Sequence, residues 1–275
     1  MTDLSGDRAG KFRQLHGLGN LLVLPNAWDA GSARLIESCG AAAIATTSAG
    51  VAWSHGYPDG DALPPRVLAA TVAEITRVLS VPLTVDVEGG YSTDPQSVGE
   101  TVAAVIDAGA VGINLEDGAG SPDLLCAKIG AARTAAAKCC VDLFINARTD
   151  VFLRALVPPE QAVAETLARS ERYRSAGCDG LFVPGLTDGA AIRGIAAAIA
   201  LPLNVMVRPM LPPVTELSRL GVRRVSAGSA IAQAAYAITQ RAATQLLAEG
   251  RYDAMLESSV PYAHLNALYA PVRDR

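Results

Sequence analysis

The sequence predicts an α/β fold, a single (β/α)8 (TIM) barrel with an additional helical segment near its C-terminal end. Three observations predict it: short apolar runs recur eight times, segments with helical periodicity separate them, and the length of 275 residues suits a one-domain barrel. Half of the residues are hydrophobic and 18% are charged, so the chain can bury a large core. We therefore expect one domain over residues 1–275, with a helical extension over about 250–275.

Eight strands are predicted from apolar runs that tend to end in polar residues or glycine. Continuous apolar runs of this length are typical of strands buried on both faces, as in a parallel sheet. The predicted strands are 21–26, 42–48, 82–88, 111–117, 141–148, 180–185, 202–207 and 223–228. A doubly wound sheet is the alternative, but the chain has no G-x-G-x-x-G motif and that fold rarely needs eight parallel strands.

Helices are predicted between the strands, where apolar residues recur at helical spacing. Several begin after a capping residue or at an early proline, as at Ser121 and Pro122, and several end at glycine, as at Gly109 and Gly177. The predicted helices are 65–79, 96–108, 122–138, 160–176, 188–199 and 229–248. A further apolar helical segment over 251–270 is expected either to pack against another subunit or to cap its own barrel.

The composition excludes several classes of protein. The net charge of −4 gives no general attraction to nucleic acid or anionic lipid. The five cysteines are an odd number and none lies in a C-x-x-C pair, so neither a disulfide framework nor a structural zinc site is expected. The N-terminus lacks the apolar core of a secretory signal, and no uncharged apolar run reaches the length of a membrane span. We expect a cytoplasmic protein without a nucleic-acid or membrane partner.

Acidic residues cluster at the ends of the third and fourth predicted strands, and barrel enzymes place their sites at such strand ends. Asp86 and Glu88 share one side of strand three, because they are two residues apart, and Glu116 and Asp117 end strand four. Carboxylates that lie together repel one another unless a cation separates them. The pattern favours Mg²⁺, which prefers oxygen ligands, although Mn²⁺ could take the same site. An ion pair with an inward-facing arginine is the alternative.

Two further strand ends carry polar groups. Arg148 ends strand five and could bind a substrate carboxylate through two hydrogen bonds, or pair with Glu88 or Glu116. Asn204 of strand seven either faces a ligand or belongs to the core. The small residues of 46–50 suit an anionic substrate oxygen, or form an ordinary transition from strand to loop.

Two weaker candidates lie on loops. His55 follows strand two and could reach the barrel mouth, although a solvated loop histidine is the alternative. Ala227, Gly228 and Ser229 could form a phosphate site, as in other barrels, but we prefer Ser229 as the N-cap of the last helix.

Six short segments, in this order, carry a resemblance that extends over nearly the whole chain: 25–29 (PNAWD), 47–50 (TSAG), 58–59 (PD), 85–91 (VDVEGGY), 115–117 (LED) and 145–150 (INARTD). Together they resemble the isocitrate lyase/phosphoenolpyruvate mutase superfamily. The resemblance implies a (β/α)8 barrel that forms a homo-oligomer, usually a tetramer with a helix exchanged between neighbouring subunits, although a dimer is also compatible with the sequence. It also implies Mg²⁺ held by acidic residues and a bound 2-oxo acid or its enolate.

The resemblance implies a role for each matching residue. Asp86 would be the main metal ligand, and Glu88 and Glu116 would act through bound water. Arg148 would bind the substrate across the site, with Asp59 near the metal or reacting group; Asp59, Glu116 and Arg148 are the candidate catalytic residues. The candidate substrate-binding residues are Trp28, Ser48, Ala49, Gly50, Asp86, Arg148 and Asn204.

One segment departs from the family. Its lyases and mutases carry a long mobile loop after strand four, whereas here 115–118 runs directly into a capped helix start at Ser121, and Cys126 is not expected to be a catalytic cysteine. We therefore expect a Mg²⁺-dependent lyase that cleaves or decarboxylates a small 2-oxo or 2-hydroxy di- or tricarboxylate through a metal-stabilised enolate. Phosphonate P–C bond chemistry, and metal-dependent binding of a 2-oxo acid without catalysis, are the alternatives.

Overall fold

Nine short strand segments pair in parallel, in the order β1-β9-β8-β7-β6-β5-β4-β3-β2. The computed structural model describes residues 3–17, 19, 21–257 and 259–270. The segments are β1 Leu22–Leu24, β2 Asn26–Ala27, β3 Ile44–Thr46, β4 Leu83–Asp86, β5 Gly112–Glu116, β6 Phe144–Arg148, β7 Gly180–Phe182, β8 Leu203–Met206 and β9 Arg224–Ser226. Every predicted strand contains an observed one, and the predicted α/β barrel is confirmed.

The barrel closes through residues 22–27, which form one strand interrupted at Pro25. Leu24 of β1 pairs with Ser226 of β9, whereas Ala27 of β2 pairs with Thr46 of β3. Proline has no backbone N–H to donate to a neighbouring strand, so the ladder changes sides at this residue. The nine segments therefore correspond to the eight strands of the predicted barrel.

Twelve α-helices surround the strands in the described part of the chain. They are α1 Asp3–Gln14, α2 Ala30–Ser38, α3 Ser48–Ser54, α4 Pro65–Val78, α5 Pro95–Asp107, α6 Pro122–Lys138, α7 Ala162–Ala176, α8 Gly189–Ala198, α9 Val214–Arg219, α10 Ala230–Glu249, α11 Asp253–Glu257 and α12 Tyr262–Tyr269. The six predicted helices agree with the observed ones to within about two residues at most ends. The predicted segment 251–270 forms two short helices separated by Pro261.

Local chemistry explains where these helices begin. The Asp94 carboxylate accepts a hydrogen bond from the Ser97 N–H at 2.9 Å, and the Ser121 hydroxyl accepts one from the Asp123 N–H at 3.2 Å, so both residues cap helices that start at a proline. Ser229 precedes α10, but its side chain makes no capping hydrogen bond in the described structure. Ser229 therefore occupies the predicted N-cap position, but its hydroxyl does not cap the helix.

The core has two parts, because strand residues alternate between the helices and the barrel interior. Outward residues such as Ile113 and Ile145 belong to the large apolar layer beneath the helices. A smaller cluster fills the barrel near the strand starts, where Phe12 of α1 packs with Leu22 and Phe144. Helix α1 thus covers the end of the barrel opposite to the acidic strand ends. None of the described helices is long and apolar enough to cross a lipid bilayer.

Candidate active site

The acidic strand ends and Arg148 meet at one rim of the barrel. Asp86 ends β4 and lies in register with Asn114 of β5, and Glu116 lies in register with Arg148 at the ends of β5 and β6. Glu88 follows β4 by two residues, and its carbonyl oxygen accepts a hydrogen bond from the Glu116 N–H at 2.9 Å. The register of the parallel strands therefore brings together three carboxylates and one guanidinium.

Arg148 is held by carboxylates on two sides. Its Nε and Nη2 donate to the two oxygens of Asp150 at 2.7 and 3.1 Å, and its Nη1 lies 2.5 Å from Glu116 Oε2. Asp150 is fully buried, whereas the side chains of Arg148 and Glu116 keep about 15% of their surface exposed. The guanidinium is thus fixed by Asp150 and faces the open rim beside Glu116.

Burial raises the pKa of all three carboxylates. It is the largest cause for Glu116, whose pKa rises to about 8 although Arg148 opposes the shift, and for Glu88, whose pKa rises to about 7. The pKa of Asp86 is also raised by burial, with Arg148 opposing the shift and the charge of Asp59 adding to it. A rim that resists ionisation in this way suits a site completed by a bound cation.

A divalent cation fits the carboxylates at this rim if most of its contacts run through water. Glu88 Oε1 is buried and has no hydrogen-bond partner among the described residues, so one hard oxygen is available. No three His, Cys, Asp or Glu side chains in the described ranges are arranged to ligate a metal directly. Mg²⁺ commonly keeps several waters and uses one or two carboxylates. Asp86 would be its direct ligand, with Glu88 and Glu116 reached through water.

The first turn of α3 lies next to Asp86. Ser48 opposes the rise in the pKa of Asp86 by favouring its charged form, which places Ser48 at the site. Ser48, Ala49 and Gly50 are buried. At Gly50 a side chain would collide with Trp28, whose Cβ would lie 2.9 Å away, so only glycine lets the two segments approach this closely. The segment after strand two, expected to be a loop, therefore begins as a short helix. Its first turn lies against Trp28, so the predicted substrate-binding residues Trp28, Ser48, Ala49 and Gly50 lie together.

Asn204 lies below the rim in a polar layer inside the barrel. It is fully buried, its Oδ1 accepts from the Ser226 hydroxyl at 3.1 Å, and its Nδ2 has no partner among the described residues. Asn114 Oδ1 accepts from Asn146 Nδ2 at 2.9 Å and from Arg224 Nη2 at 3.1 Å. Burial lowers the pKa of Arg224 to about 9. Arg224 and Asn114 are the members of this layer that the sequence reasoning missed.

The remaining candidates lie apart from the rim. His55 Nε2 lies 2.9 Å from the Thr71 hydroxyl of α4, which holds the ring against an outer helix. The segment between β5 and α6 comprises only residues 117–121, as the sequence indicated, and the partly buried Cys126 packs against the core beneath the helices. A polar cleft of about 600 Å³ adjoins the mouth after β8 and β9; Arg208, Ser229 and Gln233 are among its lining residues.

Two carboxylates have roles that the sequence did not indicate. Asp150 orients Arg148, and Asp117 in turn fixes Asp150 by accepting its N–H at 2.9 Å. Asp117 does not face the metal site as a further carboxylate, because its other oxygen accepts from Arg169 and Tyr173 at 2.8 and 2.6 Å. The i, i+2 spacing of Arg148 and Asp150 is the signal that could have revealed the first of these roles.

Comparison with known proteins agrees with this fold. The phosphoenolpyruvate phosphomutase family model matches residues 12–247. An oxaloacetate decarboxylase of Paraburkholderia xenovorans (strain LB400) is 30% identical over 233 residues, which cover 80% of this chain and 75% of the relative.

Solved structures match most of the chain. A Burkholderia cenocepacia J2315 protein assigned as a phosphonomutase is 42% identical, with a TM-score of 0.83 over 88% of this chain and 99% of the other. A second protein of that organism, assigned as a lyase or mutase, is 34% identical, with a TM-score of 0.89 over 98% of both chains. A phosphonopyruvate hydrolase crystallised with oxalate and Mg²⁺ is 20% identical, with a TM-score of 0.82 over 95% of this chain and 94% of that chain, and shares the fold.

Proposed function

The chain belongs to the phosphoenolpyruvate phosphomutase family, and from that premise we propose that it is a Mg²⁺-dependent carbon–carbon lyase. Its substrate would be a small 2-oxo or 2-hydroxy di- or tricarboxylate, which is cleaved or decarboxylated. The oxaloacetate decarboxylase among its relatives supports decarboxylation of a 2-oxo diacid as one form of this reaction.

One observation carries the proposal: Arg148 lies at the rim with Asp86, Glu88 and Glu116, fixed by Asp150 and paired through Nη1 with Glu116. A 2-oxo acid presents a carboxylate next to a second oxygen, which matches a cation and a guanidinium side by side. A bound Mg²⁺ would stabilise negative charge that develops on the substrate oxygen when the bond breaks. Once a cation balances Glu116, Nη1 of Arg148 can donate to a substrate carboxylate while Asp150 keeps the rigid guanidinium in place.

The cleft at the mouth supports a substrate with a further carboxylate. The cleft beside the rim contains Arg208 and the polar side chains of Ser229 and Gln233.

Asp59 is close enough to raise the pKa of Asp86 and Glu88 through its charge, so it is the candidate proton-transfer group near the reacting atoms. His55 is a weaker candidate, because it is bonded to Thr71.

Calorimetric binding of oxalate, with and without Mg²⁺, tests the site. Oxalate resembles the enolate of pyruvate in charge and shape, so the wild type should bind it only when Mg²⁺ is present. Asp86→Asn keeps the side-chain volume but removes the charge, and we expect at least about a tenfold weaker affinity, which corresponds to about 1.4 kcal/mol. Asp7→Asn, an exposed change on α1, is the matched control. Equal oxalate binding without Mg²⁺, or by Asp86→Asn, would sink the proposal.

Phosphonate chemistry is the second candidate, favoured by the 42% identity with the protein assigned as a phosphonomutase. A panel of substrates separates the two activities. Release of pyruvate or glyoxylate from oxaloacetate and substituted malates supports the lyase. Isomerisation of phosphonopyruvate to phosphoenolpyruvate, or release of phosphate from phosphonopyruvate, supports the alternative. Binding of oxalate without turnover of any panel member would indicate a metal-dependent 2-oxo acid binding protein.

A further inference from the structure

Two loops at the barrel mouth are joined by hydrogen bonds from the backbone of each loop to a carboxylate of the other. The acidic loop, residues 57–62, follows α3, and the β4 loop, residues 87–94, follows β4. Glu88 Oε2 accepts hydrogen bonds from the backbone N–H groups of Gly60, at 2.8 Å, and Asp61. In return, Asp61 Oδ1 accepts from the N–H groups of Gly89 and Tyr91 at 3.1 and 3.0 Å. Each loop thus supplies the acceptor for two backbone donors of the other.

Three residues of the two loops adopt unusual backbone conformations where these hydrogen bonds form. Asp61, Glu88 and Tyr91 have φ angles of +57°, +50° and +60°, in the left-handed region that side chains rarely adopt. Such conformations are strained and persist where the surroundings hold them. The four hydrogen bonds to the carboxyl groups of Glu88 and Asp61 are the interactions that stabilise them here.

Close packing leaves little room for any other arrangement. A side chain at position 89 would place its Cβ 2.6 Å from Asp61 Oδ2, so the carboxylate sits directly against the glycine backbone. The Gly89 carbonyl oxygen accepts from Lys128 Nζ at 2.5 Å, which ties the β4 loop to α6. The β4 loop is therefore braced from the protein side, and the more exposed acidic loop is held against it.

We propose that Glu88 and Asp61 form a reciprocal clasp that positions Asp59 over the carboxylate rim. Asp59 directly precedes the two residues whose N–H groups Glu88 binds, so the clasp fixes the backbone that carries it. Glu88 then has one engaged oxygen, and only its buried Oε1 is available to a cation. Asp61 is a positioning residue that the metal site itself does not need. The clasp is independent of the proposed function; only the purpose of holding Asp59 rests on it.

Amide hydrogen exchange in metal-free protein, read in peptides that cover the two loops, tests the clasp. Asp61→Ala removes the acceptor for Gly89 and Tyr91, and we expect their exchange to become at least tenfold faster. The decisive measurement is on the acidic loop. The amide hydrogens of Gly60 and residue 61 should also exchange at least tenfold faster, although their acceptor Glu88 is unchanged. Asp61→Asn keeps a carbonyl acceptor and should retain most of the protection.

Asp94→Ala is the matched control, because it removes a backbone acceptor of the same β4 loop outside the clasp. It should speed exchange at Ser97, whose N–H it accepts at 2.9 Å, and leave Gly60 unchanged. If Asp61→Ala affects only Gly89 and Tyr91, or if Asp94→Ala loosens Gly60 equally, the clasp is not reciprocal and the proposal is overturned.

Oxalate affinity in the presence of Mg²⁺ separates this inference from the proposed function. The exchange result is obtained without metal or ligand, so failure of the wild type to bind oxalate contradicts the proposed function alone. Where the wild type does bind, Asp61→Ala should bind oxalate several-fold more weakly, because the mouth is less ordered, while the exposed change Asp7→Asn has no effect. Unchanged affinity together with loosened loops would contradict the positioning role.

Discussion

Single buried charges decide what the rim can do. Asp150 is fully buried and is held by Arg148, Arg154 and the carboxylate of Asp117, which accepts its N–H. This arrangement fixes Arg148 before any ligand arrives, so little orientation is lost on binding. Glu116 is different, because it shares Arg148 and keeps a raised pKa of about 8. Asp150 is thus a permanent partner of the guanidinium and Glu116 an exchangeable one.

The raised pKa of Glu116 predicts how stability depends on pH without metal. Its ordinary value is 4.5, so between about pH 4.5 and 8 the folded state holds a proton that the unfolded state has lost. The free energy of unfolding should therefore fall as pH rises through this interval. For Glu116→Gln, the free energy of unfolding should fall less steeply.

Urea unfolding in EDTA at pH 5, 6, 7 and 8 measures this difference. Comparing the two proteins cancels His16, whose pKa is lowered by burial to about 3 and which acts in the opposite direction below pH 6.5. Saturating Mg²⁺ should stabilise the wild type more at pH 8 than at pH 5, because cation binding releases the proton. Parallel curves for wild type and Glu116→Gln would contradict the assignment; Glu74→Gln, an exposed change, is the control.

Site residues could be predicted from the sequence where they lie at the ends of predicted strands. Asp86, Glu88 and Glu116 end predicted strands, and buried acidic strand ends are informative by themselves. Asp61 could not be found in this way, because its partners are the N–H groups of residues about 30 positions away. Arg224 lies one residue from another arginine at a strand start, and only the closed barrel shows that its side chain is buried.

At the scale of elements, strands were easier to predict than short helices. Each strand is a continuous apolar run, a signal that needs only a few residues. Helix α3 has seven residues, including Gly50, so it is too short for helical periodicity to be visible. Its first turn packs against Trp28, a tertiary contact that no local pattern records. The split of the first strand at Pro25 likewise becomes visible only when its two neighbours are known.

We predict that Phe12 of helix α1 stabilises the closed end of the barrel. Phe12 is fully buried, and its ring lies edge-on to Phe144 and His16, with centroids 5.6 and 4.8 Å apart. Phe12→Ala should lower the free energy of unfolding by about 3–5 kcal/mol, because it leaves a cavity that the strands cannot fill. Urea unfolding measures the loss, and Phe12→Leu should lose less.

The His16 imidazole gives a second readout of the same change. Water that enters the cavity should raise its pKa towards the ordinary value of 6.5, which an NMR titration detects. A stability loss below about 1 kcal/mol with an unshifted imidazole would show that α1 does not seal the barrel.

At the scale of the whole molecule, the surface is uneven. The rim and its loops are polar, whereas α10, α11 and α12 expose large apolar side chains, among them Leu247 (85% exposed), Tyr262 (81%) and Leu256 (67%). The end of α12 docks on its own chain, since the Tyr269 hydroxyl donates to the Gly31 carbonyl oxygen at 2.8 Å and Arg34 Nε donates to that of Leu268 at 3.1 Å. Large exposed apolar side chains on successive helices are typical of an interface between proteins.

We therefore predict a homo-oligomer, a dimer or a tetramer, built on this C-terminal surface. Replacing Leu247 and Tyr262 together by Asp should reduce the assembly to monomers, because charged groups cannot be buried against an apolar partner without a large cost. Light scattering coupled to gel filtration measures the mass, and far-UV circular dichroism checks that the barrel stays folded. Ala73→Asp on α4, an exposed site on another helix, is the matched control and should leave the mass unchanged. A wild type that is monomeric at micromolar concentration would contradict the prediction, and so would an assembly that survives both substitutions.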